Sequence, residues 1–85
     1  MSIADTLNER ELRYGKFADN AKLAQSLRNM MRTADGWYKM PDTQREALDN
    51  IMGKIARQIN GAKDYPDNFH DIAGYATLAE QEILS

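Results

Sequence analysis

The sequence predicts an all-α fold, a small antiparallel helical bundle of three main helices and a short N-terminal one. The chain of 85 residues has 36 residues counted hydrophobic, of which 11 are Ala, 5 Met and 13 Ile plus Leu; the absence of Val and the abundance of Ala, Leu, Met, Gln, Arg and Lys favour helix over strand. Apolar side chains recur at three- and four-residue intervals, without the period-two alternation of a half-buried strand. Turn signals fall at Tyr14-Gly15, Ala34-Asp35-Gly36, Met40-Pro41, Asn60-Gly61 and Tyr65-Pro66. They divide the chain into four segments of one domain, residues 1–85, with no repeat, linker or low-complexity tract.

The first segment, about Ile3 to Arg13, spaces Ile3, Leu7 and Leu12 loosely among charged residues and predicts a short helix. The second, about Phe17 to Thr33, repeats Phe17, Ala21, Ala24, Leu27 and Met31, with Leu23 and Met30 widening the stripe. Asp19 in its first turn and Arg28 and Arg32 in its last suit the helix dipole. The third opens on Thr43-Gln44-Arg45-Glu46, a capping-box pattern after Pro41, and stops at Asn60-Gly61; Leu48, Ile51, Met52, Ile55 and Ile59 form its stripe. The fourth runs from about Pro66 to Leu84, with Asp64 or Asp67 as the expected cap and Phe69, Ile72, Ala76, Ala79 and Ile83 as its stripe. Short connections make neighbouring helices antiparallel, so the third and fourth segments form a hairpin. Gly53 and Gly74 lie inside helices, where Gly costs about 0.8–1 kcal/mol relative to Ala. Each needs a reason: close helix approach or room for a ligand.

So short a chain buries only roughly 60% of the surface its unfolded form exposes, which makes a homo-oligomer the expected state. With 11 basic and 13 acidic residues, a net charge of −2 argues against indiscriminate DNA or RNA binding and against an anionic membrane surface. The absence of Cys excludes disulfides and thiolate zinc sites. Apolar runs too short to span a bilayer, and no leader pattern at Met1, set the expectation of a cytoplasmic protein. Charge is unevenly divided: residues 1–40 carry 7 basic and 5 acidic groups, a net +2, and residues 41–85 carry 4 and 8, a net −4. That asymmetry either helps the ends associate or places an acidic site beside a basic rim.

Two constellations are candidates for chemistry. Glu46 and Asp49 on the third segment, with Asp67 and Asp71 on the fourth, pair carboxylates three or four residues apart, and a hairpin brings such pairs around one point. Magnesium takes that oxygen environment and bridges to substrate phosphates. The competing reading makes the same residues helix caps and dipole partners, which explains Asp49 and Asp71 least well. Lys54 and Arg57 form the second candidate, an ammonium and a guanidinium suited to phosphate oxygens, against an ordinary solvated face. His70, the sole histidine, has no second His or Cys for a transition metal and no Ser-His-Asp order around it. Tyr14 and Tyr75 are candidates to stack on a ribose or base, whereas Trp37 reads as core.

Two stretches together carry a resemblance. Arg13-Tyr14-Gly15 followed by Asp19-Asn20, and Lys54-x-x-Arg57 followed by Asp67-Asn68-x-x-Asp71-Ile72-Ala73-Gly74-Tyr75, resemble small phage and prophage helical proteins of unassigned activity. These in turn are distantly similar to the MazG-like all-α nucleotide pyrophosphohydrolases, and the resemblance spans Arg13 to Leu84. In those enzymes Glu-x-x-Glu on one helix and Glu-x-x-Asp on the next hold magnesium against nucleotide phosphates. By position Glu46 and Asp49 stand for the first pair, and Asn68 and Asp71 for the second. Asn68 removes one charge from such a cage, and Asp67 compensates only if it is aimed inward.

The resemblance implies a phage-type protein, in the cytoplasm of the bacterial host, that captures a nucleotide or nucleotide-derived phosphate, with a host-defence signal as one setting. Lys54 and Arg57 would hold phosphate, Asp49 and Asp71 a ribose or one cation, and Tyr14 or Tyr75 the base. Three alternatives remain: a magnesium-dependent nucleoside triphosphate pyrophosphohydrolase on the same carboxylates, a protein-binding inhibitor of a host enzyme, and a hairpin whose carboxylates are only caps.

Overall fold

The computed structural model describes residues 2–85 as four α-helices and one 3₁₀ turn, with no strand among them. Helix α1 covers Ile3–Tyr14, α2 Phe17–Met31, α3 Asp42–Asn60 and α4 Asp67–Leu84. The order and bounds follow the sequence expectation closely. The stretch between α2 and α3, expected as a loop, instead winds into a 3₁₀ helix at Asp35–Lys39 that tucks Trp37 into the interior.

Helix α3 is the central strut. It packs along α4 on one side and α2 on the other, and α1 touches it only near its end. The buried residues on these seams are Ala24 of α2, Ala47 and Ala56 of α3, and Asn68 of α4. Alanines let helix backbones approach closely but bury little area each, so Trp37 is the one large side chain in the buried set among the described residues. Leu48, Ile51, Met52 and Ile55 are half-buried, and Ile59 is exposed.

The fourth helix departs from its predicted stripe. Asn68, Ile72, Tyr75 and Ala79 lie on its covered side, whereas Phe69, Ala76 and Ile83 are exposed. The apolar set of α4 is wider than one neighbouring helix covers, and α3 takes only one flank of it. In α2, similarly, Phe17 and Met30 stay exposed.

The helix starts also differ from expectation. Ser2 caps α1, its Oγ accepting from the Asp5 amide at 3.1 Å. Helix α3 starts two residues earlier than the capping-box pattern requires, with Pro41 in the cap position and no side-chain cap. Glu46 is thereby released, and its Oε1 accepts from Asn50 Nδ2 at 3.1 Å. At α4, neither Asp64 nor Asp67 caps; Pro66 occupies that position.

The turns at Gly15 and Gly61 dock on each other backbone to backbone. Gly15 has φ of +83°, and a Cβ there would sit 2.6 Å from the Asn60 carbonyl oxygen. A Cβ on Gly61 would overlap the Arg13 carbonyl oxygen, which accepts from the Ala62 amide at 2.9 Å. Asn20 Nδ2 donates to the Tyr14 carbonyl at 2.6 Å, and Asn60 Nδ2 to Asn20 Oδ1 at 3.0 Å. Only Gly permits such contact at both corners.

Candidate functional site

The side-chain and backbone hydrogen bonds that join α1 to α2, α4 and the turn after α3 fall at Arg13 and Tyr14, and a cleft of about 560 Å³ is lined by α1, α2 and α3. Its floor is small: Ala21 and Ala24 from α2 and Gly53 from α3. Its walls carry Arg10, Tyr14, Phe17, Arg28 and Arg57, with Glu11 the sole acidic lining residue. A net positive lining over a small-residue floor suits an anion with an apolar or aromatic appendage, and the volume is that of a small-molecule site.

Tyr14 organises the mouth. The guanidiniums of Arg10 and Arg57 stand over its ring, 5.3 and 5.5 Å from the centroid. Its hydroxyl donates to Asp67 Oδ2 at 3.0 Å, tying α1 to the start of α4. Next to it Arg13 stands over Tyr65 at 5.0 Å, and the Tyr65 phenol holds that guanidinium above its ordinary value. Deeper in the cleft, Arg28 donates through Nε and Nη2 to the Asp49 carbonyl oxygen at 3.2 and 2.8 Å. A Cβ on Gly53 would come within 3.2 Å of Arg28 Nη2. Gly53 therefore makes room for this arginine, which answers the question its helix-interior position raised.

The expected phosphate pair is divided. Arg57 enters the cleft, but Lys54 turns to α4, where its ammonium lies 3.0 Å from Asp71. The two stacking candidates separate as well. Tyr14 is in the cleft, and Tyr75 lines a shallower groove of about 350 Å³ on α4 with His70, Asp71, Gly74 and Leu78.

The four carboxylates expected around a metal go to four different partners. Glu46 is held by Asn50, Asp67 by Tyr14 and Asp71 by Lys54. Both oxygens of Asp49 accept from Arg32 Nη2 at 3.0 and 2.9 Å, and Arg32 in turn stands 4.8 Å over the Trp37 ring. Among the described residues, no three His, Asp or Glu side chains are grouped to hold a metal ion. Spacing within each helix places the carboxylates on a common side, but Asn50, Arg32, Tyr14 and Lys54 take each one separately.

Arg10, Arg28 and Asn20 belong to the site and were missed in the sequence. Arg10 was legible as an i,i+4 neighbour of Tyr14, and Gly53 was the trace that Arg28 leaves on α3. No helix among the described residues is long and apolar enough to cross a membrane. Comparison of the chain with protein-family models, with curated proteins and with solved structures finds no match.

Proposed function

We propose that the cleft between α1, α2 and α3 captures a nucleotide or nucleotide-derived phosphate and holds it without turnover. The observation that carries this reading is the convergence of Arg10, Arg28 and Arg57 on one cleft beside Tyr14, with Glu11 as the only opposing charge in the lining. Guanidiniums give charge-assisted hydrogen bonds to phosphate oxygens; Arg10 and Arg57 stand over the Tyr14 ring, and Arg28, tethered to the Asp49 carbonyl, offers its remaining N–H groups. Retention over hydrolysis is supported by the carboxylates, which are spent on internal ion pairs and hydrogen bonds. The likeness of the Asp67–Tyr75 string to phage proteins favours a signal made by a host defence system as the ligand.

The test is incubation with a nucleotide panel, with and without magnesium, followed by mass spectrometry of bound and free pools. Intact retained ligand supports capture. A shortened ligand establishes the magnesium-dependent pyrophosphohydrolase instead, and the absence of both results shifts the function to a protein partner. Arg57→Glu and Arg10→Glu abolish retention while helical circular dichroism is kept. Lys54→Glu breaks the pair with Asp71 and leaves retention near the unmodified level. Loss of retention with Lys54→Glu alone would move the site out of the cleft.

A further inference from the structure

The surface of this chain is larger than its mass explains. A compact monomer of 9.7 kDa exposes about 5,100 Å², whereas this one exposes 6127 Å². Its radius of gyration is 14.6 Å, against about 12 Å for a compact chain of this length. The excess, about 1,000 Å², is close to the share of about 800 Å² that one partner contributes to a stable interface.

Part of that surface is a single ordered stripe. Phe69, Ala73, Ala76, Glu80 and Ile83 follow one another at alternating four- and three-residue steps along α4, and all five are exposed. Phe69 is 62% and Ile83 65% exposed, although both are large and apolar. Steps of four and three place residues in one line on a helix, the pattern of a helix-pairing seam. Here the line runs about 21 Å at 1.5 Å per residue, beside the flank that α3 covers. Helix α4 carries Asp67, Asp71, Glu80 and Glu82 and no Lys or Arg.

The large apolar ends of the stripe are evenly placed about its middle, with Glu80 the one charged member. Phe69 and Ile83 each lie seven residues from Ala76, so two copies laid antiparallel with a two-fold axis at Ala76 put Phe69 of one against Ile83 of the other. The alanines then meet at the centre, where two helices approach most closely. In this arrangement the two Glu80 carboxylates are about 12 Å apart along the axis, whereas a parallel pairing in register would set them face to face at a cost. We infer that α4 pairs antiparallel with α4 of a second copy of this chain through Phe69, Ala73, Ala76 and Ile83, forming an isologous dimer. The pairing does not depend on any ligand in the cleft, which lies on other helices.

The chain has no Cys, which gives a clean test. Ala76→Cys under mild oxidation gives a disulfide-linked dimer much faster than Gln25→Cys, an exposed control on α2. Ala76→Glu places two carboxylates at the axis and weakens self-association by about 100-fold or more. Helicity is unchanged, because Ala76 is exposed within one copy. Sedimentation velocity reads subunit number for both the unmodified protein and Ala76→Glu. Single copies of the unmodified protein across the micromolar range overturn the inference. So does any assembly, dimeric or larger, whose subunit number Ala76→Glu leaves unchanged, or Ala76→Cys cross-linking no faster than the control. Binding of an unrelated protein to this face in place of a second copy overturns it as well.

Discussion

Gly53→Ala separates the two reasons a helix tolerates an interior glycine. On propensity alone, replacing Gly by Ala inside α3 stabilises by about 0.8–1 kcal/mol. The new methyl would stand 3.2 Å from Arg28 Nη2, closer than ordinary van der Waals contact. Arg28 cannot simply swing away, because Nε and Nη2 both donate to the Asp49 carbonyl at 3.2 and 2.8 Å. A shift of a few tenths of an ångström lengthens a hydrogen bond from a charged donor, a class worth about 1.5–3 kcal/mol. Losing roughly half of one such bond cancels the propensity gain, so Gly53→Ala is neutral to slightly destabilising. In an Arg28→Ala background the crowding disappears and the same substitution stabilises by the full amount, about 0.8–1 kcal/mol. Urea unfolding of the four proteins of this cycle gives a coupling of about 1 kcal/mol. A full propensity gain in the presence of Arg28 would refute the account of Gly53 as the space-maker for the cleft.

Two further substitutions probe the frame around the site. Gly61→Ala drives a methyl into the Arg13 carbonyl and parts the two docked turns, which destabilises by about 3 kcal/mol or more in chemical unfolding. Asp49→Asn removes the charge that both Arg32 contacts require and costs about 1–3 kcal/mol; a shift of Trp37 fluorescence accompanies it as Arg32 leaves the indole face.

The helices were legible because composition, punctuation and spacing agree. Gly15 and Gly61 end α1 and α3 as the turn signals required. The α3–α4 hairpin follows from its short connection. What spacing could not fix was the roll of each helix against two neighbours at once. Lys54 and Arg57 share a side of α3 in the sequence, yet a small rotation sends one to Asp71 and the other to the cleft. The same ambiguity misassigned Phe69, Ala76 and Ile83 to the covered flank of α4. The capping-box pattern misleads because Asp42, adjacent to Pro41, already starts the helix, putting Thr43 two positions too deep to cap. Asp49, Asp67 and Asp71 looked available because their partners, Arg32, Tyr14 and Lys54, lie 17, 53 and 17 residues away in sequence. In the sequence Arg28 suits the helix dipole, which gives no reason to seek a second role for it.

The clasp between the Gly15 and Gly61 corners fastens α1 at one end only. A rod held at its base pivots there, and its tip sweeps the widest arc; for α1 the base is Arg13 and the tip Ile3. Amide hydrogen exchange should therefore slow steadily from Ala4 toward Tyr14. The span between Leu7 and Phe17 becomes adjustable, so guests of different bulk fit by bending a single joint while the seams of α2, α3 and α4 keep their packing.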